Sequence, residues 1–200
     1  MTKLIHQSGG SNIWGTPHFL YDHYNELYGF KLDAAASDDN HLCDKYYTEE
    51  TNALVQEWEV SNWLNCPYSP NTLQKQFIHK AVTEACKDRT TVCLIPSRTE
   101  TKIWQEFVFP LASDIIFIDE RIHFSYCANG AGFPSAIVVF DCEANRRFTQ
   151  RKGVPGRVTT LQLRYLEGYK EYKAKVEVNK KIWDAEKKLN QDRLDHGVFS

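Results

Sequence analysis

The sequence predicts an α/β protein with a doubly wound, mostly parallel sheet, and three observations lead there. Residues 91–96, 115–118 and 136–140 are short, continuously apolar runs, as expected of strands covered on both faces. Stretches with helical spacing alternate with the strand candidates, above all residues 72–87. The chain has 200 residues, 42% apolar and 25% charged, which is the composition of a globular domain large enough to bury a substantial core.

Residues 1–12 are polar and rich in Gly and Ser, and read as a flexible N-terminal arm. Pro17 opens a helix with Phe19, Leu20, Tyr24 and Leu27 on one face, and Gly29 stands where it would stop. Residues 30–36 read as a short strand running into a turn of small residues, and 37–57 as polar loop. Residues 60–64 form a strand that ends at Asn65-Cys66-Pro67-Tyr68. The helix over 72–87 carries Leu73, Phe77, Ala81, Val82 and Ala85 on one face. The strand over 91–96, a helix over 101–111 and the two later strands complete the pattern. After the break at Gly153-Val154-Pro155-Gly156, residues 159–196 read as one long helix or two, with a narrow apolar stripe. That arm would pack on the core or on a second chain. The expected organisation is an arm over 1–12, a domain over 13–141, and a basic segment with a helical C-terminal extension over 142–200.

The formal charge of −2 is unevenly placed. Residues 1–141 hold 10 Lys+Arg against 18 Asp+Glu, and residues 142–200 hold 14 against 8. A basic tail of this kind suits a polyanion, although a solvated charged helix gives the same signal. The six cysteines form no C-x-x-C pair, so zinc-ribbon spacing is absent, and they read as reduced, buried small residues. No apolar run reaches signal-peptide or membrane-span length, and the expectation is a cytoplasmic protein with no membrane partner.

In open α/β sheets, ligands lie at the carboxyl ends of the strands. That rule selects Asp33, Asn65 to Tyr68, and Pro96 to Arg98. The Asn65 turn is the sharpest feature. An Asn amide oxygen and the next backbone carbonyl can each accept one hydrogen of an aromatic amine. Proline stiffens the turn, and a tyrosine ring offers a face for stacking. Accepting both N–H bonds would draw the nitrogen lone pair out of ring conjugation, toward a methyl donor. The same residue types also make ordinary turns.

The surrounding sequence resembles the phage-type, Dam-like DNA adenine-N6 methyltransferases. The matching stretches are Trp14-Gly15-Thr16-Pro17, Phe30 to Ser37, Asn40 with Cys43, Lys45 to Glu49, and Trp58 ahead of the Asn65 motif. They continue with Leu94 to Thr101 and Trp104, Arg121-Ile122-His123-Phe124, and Phe133 to Phe140. The resemblance implies a Rossmann-like class I methyltransferase that uses S-adenosylmethionine and acts on double-stranded DNA, with the target adenine swung out of the helix. It places Trp14, Thr16, Pro17, Asp33, Ala34 and Ala35 at the cofactor. Asn65, Cys66, Pro67 and Tyr68 correspond to the catalytic motif, which is usually Asn or Asp followed by Pro-Pro-Tyr. Cys66 replaces the first proline of that pattern and keeps the carbonyl the role needs. The turn after Leu32 lacks the Gly-x-Gly of many methyltransferases.

Ser69, Arg98, Arg146, Arg147, Arg151 and Lys152 are candidate DNA contacts, the last four with Phe148 and Arg157 in a basic stretch suited to phosphates. Arg98 would equally suit an ion pair with Glu100. Asp38, Asp39, His41, Cys43 and Asp44 lack structural-zinc spacing, so no metal is expected. Two alternatives stay open. One is methylation of RNA or a protein amide. The other is a non-catalytic binding module on a weakened methyltransferase, motivated by Cys66.

Overall fold

The computed structural model describes residues 14–124, 130–142 and 157–195. The arm over 1–12 and the residues Arg146, Arg147, Arg151 and Lys152 lie outside them. Helix α1 (His18–Tyr28) begins after Pro17, whose carbonyl accepts from the N–H groups of Leu20 and Tyr21 at 3.1 and 3.2 Å. It ends at Gly29, which adopts φ 58° and donates to the Asn25 carbonyl at 2.8 Å. That left-handed angle favours glycine. Phe19, Leu20, Tyr21 and Tyr24 are the buried face.

Among the described residues the remaining elements are β1 (Leu32–Asp33), β2 (Ser61–Leu64), α2 (Asn71–Ala85), β3 (Thr90–Pro96), a π-helical stretch (Trp104–Val108) running into α3 (Phe109–Leu111), β4 (Asp114–Ile118), β5 (Ser135–Phe140), β6 (Arg157–Leu161), a 3-10 turn (Leu163–Tyr165) and α4 (Tyr169–Asp195). The six strands form one sheet in the order β1-β2-β3-β5-β4-β6. Side chains alternate between its faces. On β3 and β5, Cys93, Ile95, Ala136, Val138 and Phe140 join α2 and Trp104 in one core. Val92, Leu94, Ile137 and Val139 join α1, Tyr68 and Tyr169 in the other. Both faces are covered, which is why these strands read as unbroken apolar runs.

The structure departs from the sequence expectations at three places. Strand β5 runs antiparallel to both β3 and β4, while β1-β2, β2-β3 and β4-β6 pair in parallel. The sheet is therefore mixed. A parallel return needs a crossover of about a dozen residues, usually a helix, and no helix occurs among the described residues of 119–134. Second, the helix over 101–111 is π-wound in its middle. Pro110 offers no N–H and its ring crowds the carbonyl four residues back, which favours the wider winding. Third, residues 157–161 are the edge strand β6, and α4 starts only at Tyr169 after Gly168 at φ 75°. The β-branched run Val158-Thr159-Thr160 suits a strand paired to β4, so the predicted helix over 159–196 begins ten residues later.

The start of α4 is tied to the body. Tyr169 Oη and Lys173 Nζ donate to Glu120 at 2.6 and 3.0 Å, and Tyr172 Oη accepts from the His123 N–H at 2.6 Å. Farther along, Val178, Ile182 and Leu189 are exposed. Among the described residues, no helix is long and apolar enough to cross a membrane.

Candidate active site

The site is built at the ends of β1, β2 and β3. Just beyond β2, the Asn65 amide is held on both sides. Its Nδ2 donates to the Trp14 carbonyl and to Thr16 Oγ1, the latter at 2.9 Å. Its Oδ1 accepts from Tyr68 Oη at 2.7 Å. Two acceptors on the nitrogen side fix which way the amide faces. An amide oxygen has two acceptor positions. Tyr68 takes one of them.

Tyr68 is buried, and its hydroxyl also lies 3.3 Å from the Leu94 carbonyl. Burial pushes the phenol well above its ordinary range, so it keeps its proton and remains a donor to Asn65. Trp14 lies beside it, with ring planes 20° apart and centroids 6.2 Å apart. Phe124 and Phe133 stand edge-on to both rings. They lie 5.3 and 5.2 Å from Trp14, and 6.2 and 5.5 Å from Tyr68. The Arg98 guanidinium sits 5.8 Å from the Phe133 ring.

Cys66 turns the other way. Its side chain is 1% exposed and packs in the core shared by α2, Cys93 and Ile95. Burial pushes its thiol up to about 12, so it stays neutral. The Cys66 sulfur thus lies in a different core from the Tyr68 ring. Pro67 is half-buried and Ser69 exposed.

Asp33 ends β1 with its side chain 3% exposed. Its carboxylate accepts from the N–H groups of Leu42 at 3.1 Å and Ala35 at 3.4 Å. Desolvation outweighs those bonds and raises the carboxyl to about 6. Its backbone pairs with the following loop: the Asp33 N–H donates to the Lys45 carbonyl, and the Tyr47 N–H to the Asp33 carbonyl, both at 3.0 Å. Ala34, fully buried, donates to the Trp63 carbonyl at 2.9 Å. Thr16 and Pro17 are buried at the start of α1.

The structure therefore joins Trp14, Thr16, Asn65 and Tyr68 by direct contact. Asp33, Ala34 and Ala35 sit one strand away, and Arg98 is linked through Phe133. The sequence reading did not name Phe124 and Phe133 as site residues. Their signal was present, because both lie in the matching stretches after β4, and aromatic residues there suit a stacking pocket. Among the described residues, no cluster of His, Cys, Asp and Glu is arranged to hold a metal.

A mixed α/β sheet with an Asn-Cys-Pro-Tyr turn at a strand end, boxed by aromatic rings, is consistent with a methyltransferase that acts on an aromatic amine. Comparison with known proteins narrows the class. The family model for DNA N-6-adenine-methyltransferase (Dam) matches residues 6–151. A DNA N-6-adenine-methyltransferase of Escherichia phage T1 is 33% identical over 111 residues, 54% of this chain and 45% of the phage protein. One from Haemophilus phage HP1 is 28% identical over 154 residues, 72% of this chain and 87% of that protein. The chain thus spans under half the length of the first relative and most of the second. It belongs to the DNA N-6-adenine-methyltransferase (Dam) family. The match ends at residue 151, so β6 and α4 lie beyond it.

Proposed function

We propose that this protein transfers a methyl group from S-adenosylmethionine to the exocyclic amine of adenine in double-stranded DNA, with the target base extruded from the helix. The observation that carries this reading is the fixed orientation of Asn65. With Nδ2 committed to Trp14 and Thr16, Oδ1 faces the Tyr68 side and keeps one acceptor position for an amine N–H. The carbonyl of Cys66 supplies the second acceptor. Together they localise the nitrogen lone pair and aim it. As the nitrogen attacks, it gains positive charge, and two oxygen acceptors stabilise that charge. Preorganisation matters because no reorganisation is then needed during the reaction.

The donor would supply an electrophilic methyl group on a sulfonium: its S–C bond would break as the N–C bond forms, leaving a neutral thioether, and the methylated nitrogen would then release one proton to water. The residues that fit the donor are Thr16, Pro17, Asp33, Ala34 and Ala35. Asp33 is a buried carboxylate that a cationic ammonium would favour in its ionised form, and the alanines leave room for close approach. The Rossmann-like, doubly wound class I arrangement implied by the family rests on the parallel β1-β2-β3 half of the sheet. Ser69, Arg98 and the basic residues Arg146, Arg147, Arg151 and Lys152 are placed on DNA, chiefly on phosphates.

The test is incubation of the protein with labelled donor and, separately, unmethylated DNA, RNA and protein. Label recovered as N6-methyladenine in DNA is the expected result. Label confined to RNA or protein, or none at all, would overturn the reading.

A further inference from the structure

We infer that Trp14 is the second stacking plate for the target base, facing Tyr68, and not a cofactor contact. This rests on the reading of the chain as an adenine methyltransferase. Four rings form a box: Trp14 and Tyr68 are near-parallel, and Phe124 and Phe133 stand across both. A flat base between two rings needs about 3.5 Å on each side, or roughly 7 Å between the plates. The ring centroids are 6.2 Å apart, a distance that includes any sideways offset, so the two plates must part for a base to enter.

The frame of the box gives the opening a direction. Tyr68 is anchored by its hydroxyl to Asn65 and Leu94, and it is buried. Trp14 is half-buried and lies at the start of the described chain, held through its backbone carbonyl by Asn65 Nδ2. The plate that moves is therefore tied to the side chain that orients the amine. A base entering between the rings would put its exocyclic nitrogen beside the oxygen of that same amide. Phe124 and Phe133 close the sides, so a single ring system fits and water is displaced from both faces. Stacking on two faces does not depend on which ring atoms a base carries. The box would therefore grip any flat base, leaving the choice of adenine to Asn65 and its neighbours.

The experiment has two stages. Wild-type protein is first used on unmethylated genomic DNA, and sequencing of the product locates the methylated site. A duplex carrying that site is then assayed with wild type, Trp14→Leu and Trp14→Phe, with cofactor affinity and thermal stability measured alongside. Leucine fills much of the same apolar volume without a ring to stack. Trp14→Leu is expected to lower kcat/KM for the duplex by about ten- to a hundredfold, with cofactor affinity within about twofold of wild type. Trp14→Phe is expected to stay within about fivefold of wild type. Wild-type kinetics in Trp14→Leu would overturn the inference. So would a loss that saturating cofactor restores, or an equal loss in Trp14→Phe, which would deny that ring stacking is the role. Failure of the wild type to methylate DNA at all would instead remove the underlying function.

Discussion

Replacing Asn65 with alanine removes three hydrogen bonds at once: those from Nδ2 to the Trp14 carbonyl and Thr16 Oγ1, and that from Tyr68 to Oδ1. The consequences for folding and for rate differ. In the folded protein each bond is worth about 1 kcal/mol net. Tyr68 keeps the Leu94 carbonyl as a partner, and the half-buried position lets water reach part of what is freed. Stability should fall by about 1–2 kcal/mol. The rate loss should be larger, because the missing oxygen would have stabilised charge that develops only as the amine attacks. Removing one preorganised donor or acceptor of that kind costs about 3–4 kcal/mol, a rate decrease of a hundredfold or more. The assay is single-turnover methylation at saturating DNA and cofactor, with urea melts of the same preparations. A wild-type rate in Asn65→Ala would refute the catalytic assignment. A rate loss matched by an equal loss of stability would mean that Asn65 only braces Trp14 and Tyr68.

Three further outcomes are expected. Cys66→Pro should keep or raise methylation, because the role at 66 belongs to the carbonyl. Cys66→Ser should leave the rate alone and cost about 1–3 kcal/mol in a urea melt, since it buries a hydroxyl in an apolar core. Asp33 binds its proton more tightly folded, at about 6, than unfolded, at 3.8. The folded state is therefore favoured below both values and loses stability as pH rises from about 4 to about 6. Asp33→Asn should remove that slope and gain up to about 3 kcal/mol on wild type at pH 7–8, less the bonds lost to Leu42 or Ala35; parallel slopes from pH 4 to 8 would contradict it. Replacing Arg146, Arg147 and Arg151 by alanine should weaken DNA binding broadly and flatten its salt dependence, as read by fluorescence anisotropy at several salt concentrations. An unchanged salt slope would assign those charges to solubility.

Much of this was legible in the sequence because the relevant signals are local. Pro17 and Gly29 bracket α1, and both ends of β3 fall within one residue of the apolar run that marks it. The Asn65 turn announced itself through residue types that chemistry uses sparingly in that order. What stayed hidden is non-local. The reversal of β5 depends on what connects it to β4, and its own apolar pattern is the same in either direction. Residues 159–161 read as helix in the sequence because the partner of β6, β4, lies 43 residues away at the Asp114–Arg157 register. Asn65 bonding to Trp14 and Thr16 is likewise a contact across about 50 residues. Cys66 looked like a weak point in the motif until its thiol proved to face the core.

The antiparallel strand at the centre of the sheet also sets an order of assembly. As the chain emerges from the ribosome, β1, β2 and β3 can pair as they appear, but the open edge of β3 has no partner until residues 135–140 are made. Strand β4 is synthesised earlier yet, among the described residues, pairs with neither β3 nor any strand before it; it waits for β5 on one side and β6 on the other. Six residues thus join two half-sheets that have no other strand pairing between them among the described residues. A chain cut short before β5 would present an unpaired edge of β3, the kind of edge on which nascent chains associate.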